Sequence, residues 1–171
     1  MINLRPIVES DLDRIVELCQ DSIISEMTLN VPYPYTYEHA RYFYDHIVLN
    51  TTSKQYAICL DDKTELIGVI GINFNQSKDW QAEIGYWMGK DYRNNGYMTQ
   101  ALKLIIQICF EEFNLIRIYA THNPMNPASG KVMIKAGMLY EGTLRANVRK
   151  GTEYIDSPYY SIINPIVLNV L

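Results

Sequence analysis

The stretch from Gly96 to about Phe113 admits one regular structure. Its apolar residues Leu102, Ile105, Ile106, Cys109, Phe110 and Phe113 recur with the 3.6-residue period of an α-helix that buries one face. Immediately upstream, Gln81 to Met88 reads as a strand, and the residues between the two are polar and glycine-containing. A strand, a polar loop and a long amphipathic helix therefore follow one another, and the remaining elements must pack around that unit.

Ile2 to Ile7 reads as a first strand, followed by a helix with Ser10 at its N-cap and Leu12, Ile15, Val16 and Cys19 at helical spacing. Pro32-Tyr33-Pro34-Tyr35 is irregular, because each proline holds its predecessor extended. Thr36 caps a second helix with Ala40, Phe43, Tyr44 and Ile47 on its buried face. Gln55 to Leu60 and Glu65 to Phe74 flank the turn Asp61-Asp62-Lys63-Thr64 and read as a hairpin. After the long helix come a strand, Leu115 to His122, and a short helix, Pro127 to Ala136, ended by Gly137. Two further strands follow over roughly Met138 to Arg149 and Tyr154 to Ile163. The order β-α-α-β-β-β-α-β-α-β-β predicts an α/β chain with a mixed sheet in a single domain spanning 1–171, since no repeat or flexible linker interrupts it.

Composition narrows the function. The formal charge is −4, with no cluster of Lys and Arg, which argues against nucleic-acid binding. No stretch approaches the roughly 20 apolar residues that cross a bilayer, and no leader pattern opens the chain, so a cytoplasmic protein is expected, without a membrane partner. Cys19, Cys59 and Cys109 are odd in number and set in apolar sequence, as expected of reduced buried thiols. His39 and His46 are seven apart on one helix with no carboxylate cluster beside them, so no metal site is expected.

The chemistry concentrates at Glu83-Ile84-Gly85-Tyr86-Trp87-Met88 and at Arg93-Asn94-Asn95-Gly96-Tyr97-Met98-Thr99. The first turn of a helix presents unpartnered N–H groups and a partial positive charge, which suit an anion. Gly96 lets backbone approach such a group, and Arg93 places a cation nearby. Neither a nucleoside-triphosphatase loop nor a dinucleotide fingerprint is present, and a plain loop and helix cap is the alternative.

Arg93-Asn94-Asn95-Gly96-Tyr97-Met98 resembles the acetyl-coenzyme A pyrophosphate loop of the GNAT superfamily, Gln/Arg-x-x-Gly-x-Gly/Ala, departing from it at Met98. The wider run from Glu83 to Ala101 is similar to the branch containing the ribosomal-protein N-terminal acetyltransferases. Pro32 to Thr36, Asn123 to Ser129, Ala136 to Arg145, and Asp156 with Tyr160 resemble further elements of that branch in the same order. The resemblance implies the GNAT acyl-coenzyme A N-acyltransferase fold, with a V-shaped sheet opening between the strands that end at Met88 and near His122. It implies acetyl-coenzyme A as cosubstrate, with pantetheine against the backbone of Trp87 and Met88, and pyrophosphate on the amides of Asn94, Asn95, Gly96, Tyr97, Met98 and Thr99. Asn126 and Ser129 line the opposite wall.

The implied reaction is direct transfer of the acetyl group to a primary amine, foremost a peptide or protein N-terminal α-amine. A polyamine, amino acid or aminoglycoside-like acceptor is the alternative within the same chemistry, and a non-catalytic acyl-coenzyme A-binding module the alternative outside it. An alkyl amine with a pKa near ~10.4 is almost wholly protonated at neutral pH, whereas an α-amine at roughly 7.7–8.0 is easier to deprotonate. Glu83 is the candidate base, Ser129 the candidate for the thiol proton, and Tyr160 an acid or pocket wall. A solvated carboxylate, a helix-start serine and a core-edge tyrosine are the respective plain alternatives. Glu26, Tyr33, Tyr35 and His122 are candidate acceptor contacts. Met133 stands seven residues beyond Asn126, where many superfamily members carry a proton-donating tyrosine. A monomer and a homodimer both remain open.

Overall fold

The computed structural model describes residues 1–60 and 63–168, so the expected turn at Asp61-Asp62 lies outside them. The strands are β1 (Ile2–Pro6), β2 (Ser53–Leu60), β3 (Leu66–Phe74), β4 (Gln81–Met88), β5 (Arg117–Thr121), β6 (Leu139–Lys150) and β7 (Glu153–Ile163). The helices are α1 (Leu12–Leu18), α2 (Ser22–Met27), α3 (Tyr37–Phe43), α4 (Tyr97–Glu111), α5 (Pro127–Lys135) and α6 (Pro165–Leu168). Among the described residues the strands form one mixed sheet in the order β1-β2-β3-β4-β5-β7-β6. All neighbours are antiparallel except β4 and β5.

Two apolar layers cover this sheet. One packs Ala101, Leu102, Ile105, Ile106 and Cys109 of α4 against Ile70, Ile72, Ala82 and Ile84. The other packs Ile15, Ile24 and Ala40 of α1, α2 and α3 against Ala57, Cys59 and Val69. Leu66 to Ile72 is therefore buried at every position, as a central strand covered on both faces must be. The three cysteines are free and buried.

The structure departs from the expected order in local ways. Asp21 accepts the N–H of Ile23 at 3.2 Å and starts α2, a helix the order omits; Asn164 does the same for Ile166 at 3.1 Å before α6. Ser10 is not a cap. Asp11 accepts the N–H of Val8 at 2.9 Å and holds Arg5 through two contacts of 2.7 Å, a charged arrangement that a serine cannot match. Thr36 does start α3, with its N–H donating to His39 Nδ1 at 3.1 Å. Beyond Phe43 the helix widens into a π-turn over Tyr44–Val48, with Leu49 N–H donating to the Tyr44 carbonyl. The extra residue rotates Ile47 off the expected buried face and leaves it 37% exposed.

Candidate active site

The one parallel junction is short. β4 and β5 pair only at Gln81–Arg117, Ala82–Ile118 and Glu83–Tyr119, and beyond Glu83 they diverge. The V expected of the sheet thus opens at Glu83. The N–H of Gly89 donates to the Ile67 carbonyl at 2.9 Å, and Gly68 lies opposite Met88. Antiparallel alternation then directs the backbone groups of Trp87, Gly85 and Glu83 to β3, and those of Met88 and Tyr86 into the opening. This corrects the expectation for Trp87: its backbone belongs to the β3 ladder, and Tyr86 takes its place beside Met88 along the open edge. The Met88 carbonyl is already used, accepting from Arg93 Nε at 3.0 Å.

A cavity of about 1120 Å³ fills the opening and reaches both faces of the sheet. Glu83 lies at its inner end. Burial pushes the Glu83 carboxyl above its ordinary value, against a smaller opposing effect from the Thr121 hydroxyl.

Four proton-bearing side chains meet over the first turn of α5. The Tyr86 hydroxyl and Ser129 Oγ are 2.8 Å apart, and burial pushes the tyrosine up to about 12. His122 Nδ1 lies 2.8 Å from the carbonyl of Asn123, which only accepts, so Nδ1 carries a proton. A Cβ at Gly130 would stand 2.8 Å from His122 Nε2 and 3.0 Å from the Tyr160 hydroxyl, so glycine there lets both rings close in. Asn126 caps this helix, its Oδ1 accepting the N–H of Ser129 at 3.3 Å. Tyr86 is not among the residues expected at the site, because strand alternation puts it on the face opposite Glu83; its place in the same glycine-flanked strand end is the signal for it. Tyr86→Phe is expected to leave Ser129 Oγ without its partner and lower unfolding stability by about 1 kcal/mol. Denaturant unfolding checks this, and a midpoint equal to wild type contradicts the pairing.

The loop between β4 and α4 has a helix start without a cap. Asn94 and Gly96 have φ of 64° and 76°, and no side chain caps the first turn, which also carries no acid. A Cβ at Gly96 would meet nothing within 4 Å, so the space over these amides is open. Arg93 is not a free cation beside it. Its Nη2 pairs with Asp21 Oδ2 at 2.7 Å, and both groups are largely buried, so it ties the loop to α2. The Asn95 side chain donates to the Arg93 carbonyl at 3.0 Å and braces the same loop. Lys131 and Lys135, one turn apart on α5, line the cavity as well, and their i, i+4 spacing is visible in the sequence.

Of the remaining candidates, Tyr35, His122, Asn126 and Ser129 line the cavity, together with Arg93, Asn94, Gly96, Tyr97, Met98 and Thr99. Tyr33 is 55% exposed and borders a separate hollow beside Arg14 and Lys90. Glu26 lies in the last turn of α2 with its side chain exposed; its carbonyl, not its carboxylate, is engaged, accepting from Lys150 Nζ at 3.1 Å. Met133 is buried in the apolar layer. Among the described residues no group of three or more His, Cys, Asp or Glu side chains is placed to hold a metal ion.

The family model for the acetyltransferase (GNAT) domain matches residues 2–139. The chain belongs to this family. It is 36% identical over 111 residues to an uncharacterized N-acetyltransferase of Bacillus subtilis, covering 65% of each chain. Over 107 residues it is 32% identical to a ribosomal-protein-serine acetyltransferase of Escherichia coli, covering 63% of this chain and 56% of that one. The matched stretch thus spans less than two-thirds of either relative. A crystal structure of a GNAT-family acetyltransferase from Bacillus anthracis superposes with a TM-score of 0.85 at 28% identity, covering 95% of this chain and 94% of that one.

Proposed function

We propose that the chain is an acetyl-coenzyme A-dependent N-acetyltransferase whose acceptor is the α-amine of a peptide or protein N-terminus. The observation that carries this reading is the opening between β4 and β5, which runs from a half-buried carboxylate, Glu83, to the uncapped start of α4. When bound, the cosubstrate supplies an activated acetyl group as a thioester. The first-turn amides of α4 and the lysines of α5 hold its phosphates, because unpartnered N–H groups and positive charge favour anions. The edge of Tyr86 and Met88 lies along the pantetheine arm as a missing strand would.

Glu83 accepts the proton of the incoming amine. Its raised pKa lies nearer to that of an α-amine than an ordinary carboxylate's does, which narrows the gap the proton crosses. The Met88 N–H, directed into the opening, donates to the carbonyl oxygen as charge develops there. Ser129, hydrogen-bonded to Tyr86, gives its hydroxyl proton to the departing thiolate and takes one back from solvent water, a route that does not involve Met133, which cannot donate. Glu83 is left protonated and passes its proton to solvent.

Thiol release from acetyl-coenzyme A, followed with peptides bearing free or blocked α-amines, tests the reading. Release that requires the free α-amine supports it. Release from no amine, with tight binding of acetyl-coenzyme A, replaces it with a binding module.

A further inference from the structure

We propose that the acceptor site takes an amine carried on an apolar body with no second positive charge, and that it discriminates against polyamines. This rests on the acetyltransferase reading and names its substrate class.

The acceptor face of the cavity is the one covered by α1 to α3, because Glu83 shares that side of β4 with Trp87, which packs into their apolar layer. Its wall there is mostly hydrocarbon and aromatic: Ile24, Met27, Val31, Tyr35 and Phe43 line it, with the uncharged Thr28 and Asn30 and the imidazole of His39 among them. Four more lining side chains, Ile23, Leu29, Tyr42 and Ile47, are 47%, 54%, 62% and 37% exposed. Large apolar groups gathered on a concave wall and left open to water are a site for an apolar ligand.

Charge is sparse along the same wall. Only two carboxylates line the cavity among the described residues, Glu83 and Asp156. Glu83, Tyr119 and Ser161 occupy one row of the sheet, and Asp156 lies five residues further along β7, roughly 16 Å at a strand's rise. That distance far exceeds the few carbons between neighbouring nitrogens of a polyamine. Asp156 is also engaged, accepting the N–H of Ala146 at 2.7 Å. At the rim stands a cation. Lys150 Nζ donates to the carbonyls of Ser25, Glu26 and Thr28 and fastens the β6–β7 hairpin to the end of α2. An acceptor's first ammonium thus meets Glu83, while a second would lie against hydrocarbon with Lys150 ahead of it, unpartnered and partly desolvated.

The test compares kcat/KM for thiol release by the intact chain with peptides identical except for a first residue of Phe, Leu, Ser or Ala, and with phenethylamine and spermidine. The Phe- and Leu-led peptides are expected to exceed the Ser- and Ala-led ones by tenfold or more, and spermidine to lie at least 100-fold below the best acceptor. Leu29→Asp, at an exposed position, is expected to raise KM for the Phe-led peptide about tenfold and leave the Kd of acetyl-coenzyme A unchanged. Activity with phenethylamine and no peptide keeps this inference and removes the peptide acceptor. Ser-led peptide or spermidine equal to or better than the apolar acceptors overturns the inference alone, and so does an unchanged KM in Leu29→Asp. Release from no amine overturns it together with the acetyltransferase reading.

Discussion

Glu83→Gln is expected to lower kcat/KM by 10²-fold or more and to remove the acidic limb of the pH profile. A positioned general base contributes about 10²–10⁴-fold. Glutamine keeps the shape of the side chain while losing the capacity to take a proton. Burial raises the folded-state pKa of Glu83 above the ordinary 4.5, so in the wild type the working carboxylate appears as pH rises through that raised value and is lost below it. In the variant, activity follows only the acceptor amine's own deprotonation, so it emerges at higher pH. Stability moves the other way. The folded chain holds the Glu83 proton more tightly than the unfolded one, so the wild type loses stability as pH rises from the ordinary value through the raised one. Glu83→Gln lacks that loss and should be at least as stable as wild type at neutral pH. Pairing a pH–rate profile with unfolding at pH 4 and pH 7 separates a base from a merely structural carboxylate. An unchanged acidic limb removes Glu83 from the mechanism.

Gly96→Val is expected to raise the Kd for acetyl-coenzyme A by tenfold or more. Two effects contribute and a second variant divides them. At φ 76° a β-branched residue is strained by about 1–3 kcal/mol, which for a chain of this size lowers the melting temperature by several degrees. The Cβ itself touches no protein atom within 4 Å, so whatever it obstructs must come from outside the chain. Asparagine tolerates the left-handed region far better than valine. Gly96→Asn should therefore keep most of the stability yet still lose cosubstrate affinity, because its side chain enters the same open space. Calorimetric titration of both variants decides the matter. Wild-type affinity in Gly96→Asn, with only stability lost in Gly96→Val, would mean that no phosphate lies over this helix start.

Much of the fold was legible because local rules and burial agreed. α4 begins one residue after Gly96 and buries Leu102, Ile105, Ile106 and Cys109 as its period requires, while Phe110 and Phe113, the latter beyond the helix end, are partly buried; α5 begins at Pro127 under the Asn126 cap. Strand boundaries fell within two residues for most of the sheet, since alternation and turn residues point the same way there. α2 escaped because a six-residue helix has too few turns to show a period. Ile47 escaped because a π-turn breaks the period that placed it. At the site, Glu83, Asn126, Ser129 and His122 were legible as residue types at element ends. The structure leaves Glu26 and Tyr33 out of the cavity: Glu26 lies on the exposed face of α2, and the proline-broken segment turns Tyr33 outward, whereas Tyr35, two residues on, turns in.

Sequence alone carries a strand, a polar loop and a helix whose first turn suits an anion, a mixed sheet around them, and a family resemblance that the family match bears out. Those features depend on neighbours close along the chain, where spacing carries the information. Only the tertiary structure decided that the sheet splits after Glu83, that Arg93 is spent on Asp21 and Met88, and that Tyr86 reaches Ser129, 43 residues away. It also gathered apolar side chains of α2, α3 and the segment between them along one wall of the opening. These depend on register between strands and on which distant groups neutralise or desolvate one another, and nothing in residue spacing encodes the outcome of that competition.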